Sequence, residues 1–187
     1  MNALCAYLRR ATRQRLRLRR LCAVLAMVLA TVAWMRATYA QMQASEVQIK
    51  AAFIYNFALF TTWPTDAMLA DAPMVLCVAA EQPLLAALEQ LTGKPVRGHR
   101  LEIRKINDGA VGGCHVLVLD ARSAAGVRLN PATPVLTVGD GRNSALAPMI
   151  ALALQDKRVV FDIDAGAARQ AGLQLSSQLL RLARSVQ

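Results

Sequence analysis

None of the 12 acidic residues lies in residues 1–40, although eight of the 22 basic ones do. That imbalance excludes a simple reading of the formal charge of +10. With those 40 residues set apart, 14 basic residues face 12 acidic ones, a net of +2. The remainder holds no basic cluster and no aromatic RNA-binding motif, so nucleic-acid binding has no footprint here. Other absences narrow the chemistry. No Cys-x-x-Cys pair occurs, which argues against a thiol oxidoreductase. Gly139-Asp-Gly141 lacks the Lys-Ser/Thr and the helix start of a phosphate loop. Ser144, Ser176 and Ser177 stand in no nucleophile elbow. There are only two histidines, His99 and His115, without ligand spacing. His115 follows Cys114 directly, and strand neighbours point to opposite faces, so no metal site is expected. Asp162 and Asp164 fall on one side of a strand end, where capping and turn roles are commoner than a paired-carboxylate site. No catalytic constellation, cofactor or metal is expected, which favours a binding or regulatory protein.

What the first 40 residues do contain is an arginine-rich stretch, Arg9 to Arg20, a 15-residue apolar run from Leu21 to Met35, and Thr38-Tyr39-Ala40. A basic segment, a short apolar segment and a small-x-small site read as a secretory signal peptide. An uncleaved anchor is the alternative. Residues 41–187 are then one domain. Its longest apolar helix candidate runs for about 13 residues, short of the roughly 20 that span a bilayer, so no span is expected after cleavage. Cys5 and Cys22 leave with the signal, and Cys77 and Cys114 stay. In an oxidising compartment an even pair suggests a disulfide, with two ordinary buried thiols as the alternative.

The domain is organised around Lys50-Ala-Ala-Phe-Ile-Tyr-Asn-Phe-Ala-Leu-Phe-Thr-Thr-Trp-Pro64. Ile49, Ala52, Phe53, Phe57 and Phe60 share one helical face, and the opposite face carries Ala51, Ile54, Tyr55, Ala58 and Leu59. A helix apolar nearly all round is buried on more than one side. Ser45 is the candidate cap, and Pro64 stops the helix near Thr62. Asn56, isolated among apolar residues, is expected to bond to backbone. Met74–Ala80, Cys114–Asp120 and Pro134–Gly139 read as buried strands. Leu84 to Leu91 recur at helical spacing, and Gly93 ends that helix. Val96–Ile106 alternates like an edge strand. Ala121–Pro131 is a link with a helical turn, and Asp140–Asn143 is a turn. Met149–Leu154 and Arg158–Ile163 form an antiparallel hairpin. Asp164 caps a short helix that Gly172 breaks. Leu175 to Val186 reads as the last helix, with Leu175, Leu179, Leu182 and Val186 on one face. Strands alternating with helices predict an α/β fold: a single three-layer domain with a largely parallel central sheet, mixed edges and a late hairpin.

The Lys50–Pro64 stretch resembles the opening signature of the YfiR family, on Lys50, Phe53, Tyr55, Asn56, Phe57, Phe60, Trp63 and Pro64. The similarity continues through Leu76-Cys-Val78, Cys114-His115, Val135–Asp140, Met149-Ile150, Val160–Ile163 and Ala171–Ala183, over residues 45–186. It implies an α/β fold, the periplasm and a tendency to form a homodimer. It further implies repression of an inner-membrane, YfiN-like diguanylate cyclase through that enzyme's periplasmic domain, and so lower cyclic di-GMP and less biofilm. Cys77 and Cys114 lie where the family places a bridge. Two departures stand out. The chain lacks a second cysteine pair found in some relatives, and it has Ala147-Pro148 where relatives often have Gly-Gly. Ile54, Tyr55, Leu59 and Trp63 are the candidate partner contacts, with core packing as the other role for such a stripe. A periplasmic small-molecule or peptidoglycan-binding sensor is the competing reading.

Overall fold

An apolar helix needs a surface that encloses it, and the computed structural model shows how the chain provides one. It describes residues 46–79, 82–106, 110–120, 127–140 and 147–187, together with Met27. The rest of the expected signal segment, Ser45, residues 121–126 of the expected link and most of the Asp140–Asn143 turn lie outside the described residues.

Helix α1 covers residues 46–59. It ends three residues before the expected stop, because the chain turns into a short strand, β1 (Thr61–Thr62). The buried Thr61 hydroxyl donates to the Phe57 carbonyl at 2.7 Å and satisfies one orphan acceptor of the helix end. After a loop come β2 (Met74–Ala79) and α2 (Gln82–Glu89). The expected edge strand is a hairpin, β3 (Pro95–Val96) and β4 (His99–Lys105), turning at Arg97-Gly98. Both turn residues have positive φ, 51° and 90°, as a two-residue primed turn requires. Then follow β5 (Val116–Leu119), β6 (Leu136–Asp140), β7 (Ile150–Gln155) and β8 (Arg158–Ile163). Helix α3 (Ala165–Gln170) is capped by Asp164, whose Oδ1 accepts from the Ala167 N–H at 2.8 Å.

The long final helix is not there. Residues 174–186 split into β9 (Gln174–Leu175), α4 (Ser177–Leu182) and β10 (Ser185–Val186). Ser176 caps α4 through Oγ, which accepts from the Leu179 N–H. Leu175 pairs with Thr61 in a separate two-stranded sheet, and Val186 joins the main one.

The main sheet has eight strands in the order β10-β8-β7-β6-β5-β2-β4-β3. The β7–β8 and β3–β4 pairs are antiparallel and the other five are parallel. One face carries Leu76, Val78, Val116, Val118, Leu136, Val138, Leu152 and Phe161, and buried residues of all four helices pack there. The other face carries Cys77, Leu117 and Leu119, covered by Ile106, Cys114, Val127 and Val135 from non-helical segments. The third layer is thus made of loop among the described residues.

The sheet curls around α1. Phe53 reaches Phe161 on β8, with ring centroids 5.6 Å apart. Two residues on, the Tyr55 hydroxyl donates to the Pro95 carbonyl of β3 at 2.8 Å. Those strands are six spacings apart, about 29 Å in a flat sheet at the usual interstrand distance. A helix with its side chains is only about 10–12 Å across, so contact with both requires curvature.

Candidate functional site

The signature residues form a packing device. Phe53, Phe57 and Phe161 form an aromatic cluster, with the Phe57–Phe161 pair edge-to-face at 4.9 Å. Ile54 and Phe57 are fully buried and Trp63 nearly so. Tyr55, Leu59 and Phe60 are half-buried at the margin of the core. Lys50 is buried along its stem and pairs with Glu46 one turn earlier at 2.7 Å. Asn56 has an exposed side chain rather than an enclosed one. Of the four candidate partner contacts, Tyr55 and Leu59 are partly exposed, while Ile54 and Trp63 are buried. Pro64 packs beside Gly172: a Cβ there would stand 3.2 Å from the proline ring.

Cys77 and Cys114 are joined in a disulfide, Cα–Cα 5.7 Å, across 37 residues. It ties the middle of β2 to the segment that leads into β5. The sequence did not announce the residue that covers it. Arg104 Nη2 donates to the Gly112 carbonyl at 2.6 Å and lies 3.2 and 3.3 Å from the two sulfurs. Its Nε is buried and unpaired among the described residues. The only signal for this role is the alternation of β4, which turns Arg104 to the same face as Cys77, its register partner.

The next residue, His115, joins several elements. Its N–H donates to the Val75 carbonyl at 2.9 Å, and its Nδ1 accepts from the Val75 N–H at 2.9 Å. The imidazole therefore supplies the acceptor that a backbone carbonyl would offer in the ladder. With Nδ1 accepting, the proton sits on Nε2, which lies 3.2 Å from the Ala67 carbonyl. The His115 carbonyl accepts from Trp63 Nε1 at 3.2 Å and from the Leu136 N–H at 2.9 Å. Burial, chiefly, lowers the pKa of this imidazole below its ordinary value. The other histidine, His99, reaches the same loop, with Nδ1 2.8 Å from the Ala72 carbonyl.

Cys114 and His115 thus face different partners, and among the described residues no three His, Cys, Asp or Glu side chains group as metal ligands would. Asp162 and Asp164 do not converge: Asp164 caps α3, while Asp162 accepts from Arg184 and from the Ser185 hydroxyl at 3.0 Å. No helix among the described residues is long and apolar enough to cross a membrane.

No curated protein matches this chain. The family model described as YfiR/HmsC-like matches residues 47–184, from the first turns of α1 to the arginine that holds Asp162. That span takes in the signature helix, the disulfide and every strand of the main sheet but the last, and on it the chain belongs to the YfiR/HmsC-like family.

Proposed function

We propose that the protein is a periplasmic negative regulator that binds the periplasmic domain of an inner-membrane diguanylate cyclase and represses cyclic di-GMP synthesis. The observation that carries this reading is the family match over residues 47–184. The family suggests a periplasmic regulator of cyclic di-GMP signalling, and a regulatory rather than a catalytic protein. The export signal read in residues 1–40 and the disulfide agree with an oxidising compartment. We place the cyclase contact along α1, on Tyr55 and Leu59, with Ile54 and Trp63 holding the helix against the sheet from below. The repressor acts as a dimer in this reading.

The test is co-expression of the exported protein with each membrane diguanylate cyclase that has a large periplasmic domain, followed by co-purification from detergent-solubilised membranes. One cyclase is expected to co-purify, and Leu59→Asp is expected to abolish its recovery while leaving the export level unchanged. Recovery of no cyclase, with the exported protein folded, contradicts the reading. A melting temperature raised by a small molecule or a peptidoglycan fragment would favour a sensor module instead.

A further inference from the structure

The loop between β1 and β2, residues 63–73, is held from two sides by imidazoles. His115 holds Ala67 and the first residues of β2. His99 on β4 holds Ala72. The loop's own turns are short, Ala67 N–H to Pro64 and Ala72 N–H to Leu69, and Leu69 at its tip is 74% exposed. Trp63, Ala67 and Met68 pack against the core, but residues 69–71 and 73 are exposed, so the attachment of the loop's outer part depends on the histidines.

The two imidazoles differ in what a proton does to them. His99 Nδ1 faces a carbonyl, so it already donates, and a second proton on Nε2 leaves that bond intact. His115 Nδ1 faces a backbone N–H 2.9 Å away. A proton there sets two donors against each other, and one of the partners must move. We propose that His115 is a pH-operated latch: neutral, it closes the 63–73 loop against β2 and β5, and protonated, it releases the loop beyond the buried Trp63.

The surroundings favour release in acid. β4 presents Arg104 and His99, and both oppose a positive charge on His115. β2, β5 and residues 136–139 of β6 carry no ionisable side chain, Cys77 being held in the disulfide. Asp66 and Asp71 of the loop are not among the groups that shift the imidazole; the Ala67 carbonyl is the one group that favours its cation. The closed state thus binds the proton more weakly than the open one. Closure is fully stable above the ordinary value of 6.5 and weakens as pH falls from there toward the lowered value of the closed state. In that window the opening equilibrium rises about tenfold per pH unit, and below it the rise levels off.

The test is limited proteolysis of the full chain between pH 7.5 and 5, scored by cleavage within residues 63–73. Rates are normalised to the same protease on an unfolded substrate at each pH. Wild type is expected to show the acid rise. His115→Asn is expected to show none, because its amide oxygen keeps an acceptor for the Val75 N–H and takes up no proton. His99→Gln is expected to keep the response. A flat wild-type profile, or an equal rise in His115→Asn, overturns the latch. Should His115→Asn fail to fold, imidazole ¹⁵N NMR of the wild type decides. His115 must be the Nε2–H tautomer at pH 7.5, and it must titrate below 6.5, where the rise in cleavage levels off; any other tautomer or midpoint overturns the proposal.

Discussion

A disulfide in a domain of this size stabilises mainly by restricting the unfolded chain, and here the bridge closes 37 residues. The chain-entropy relation gives about 4 kcal/mol for such a loop. Cys77→Ser in the oxidised protein is expected to lose most of that, measured as a shift of the denaturant unfolding curve whose slope rises because the unbridged unfolded chain exposes more surface. No shift would mean that the bridge does not constrain the unfolded state. A second residue-scale test concerns Pro148. A Cβ on Gly139 would stand 2.7 Å from the Pro148 ring, so the proline of this chain needs the glycine beneath it. Gly139→Ala is expected to cost about 1–3 kcal/mol as an overpacked site. Pro148→Ala should recover most of the loss in a double-mutant cycle. Full additivity of the two changes would show that the added methyl and the proline ring do not meet. The disulfide and the Asp164 cap were legible as residues, because each follows from local chemistry or compartment. Arg104 and His115 were not, since what they do depends on which strands lie beside β4 and β5.

At the scale of the element, periodicity misled where it agreed with itself by accident. Leu175, Leu179, Leu182 and Val186 recur as a helix face would, yet only residues 177–182 are helical. Tertiary pairing decides the rest. β9 closes on β1, and Arg184 leaves the helix to hold Asp162 and the Gln155 side chain, which seats β10 on β8. Leu182 and Val186 are consequently exposed. The β7–β8 hairpin was legible, but its turn carries a cost invisible in the pattern. Asp156 and Lys157 both take positive φ, 49° and 63°. A side chain in that region costs roughly 1–2 kcal/mol. Lys157→Gly is expected to stabilise the protein by about 0.5–1 kcal/mol, after the added freedom of the unfolded chain is subtracted. Thermal unfolding checks this, and a lower melting temperature would show that the lysine side chain contributes more than its backbone costs.

For the whole molecule, the apolar run of α1 demanded burial on several sides, and the curled sheet meets that demand. Its position between β3 and β8 was not legible, because strand order is set by crossovers that no single stretch encodes. The same curvature gives the signature its meaning: Phe53 and Phe57 fix one flank of the helix, Tyr55 fixes the other, and Trp63 ties the following loop to β5. A core variant should therefore act globally. Phe57→Ala is expected to cost about 3–5 kcal/mol as a buried aromatic truncation and to lose regulation with stability, whereas Leu59→Asp should lose partner binding first.

The most direct measurement is the cellular cyclic di-GMP level, in cells with the gene, without it, and with a version lacking residues 1–40. Repression from the periplasm predicts a rise on deletion that the exported form reverses and the form without residues 1–40 does not. A level that stays constant on deletion, or that the unexported form restores equally well, would contradict repression from the periplasm.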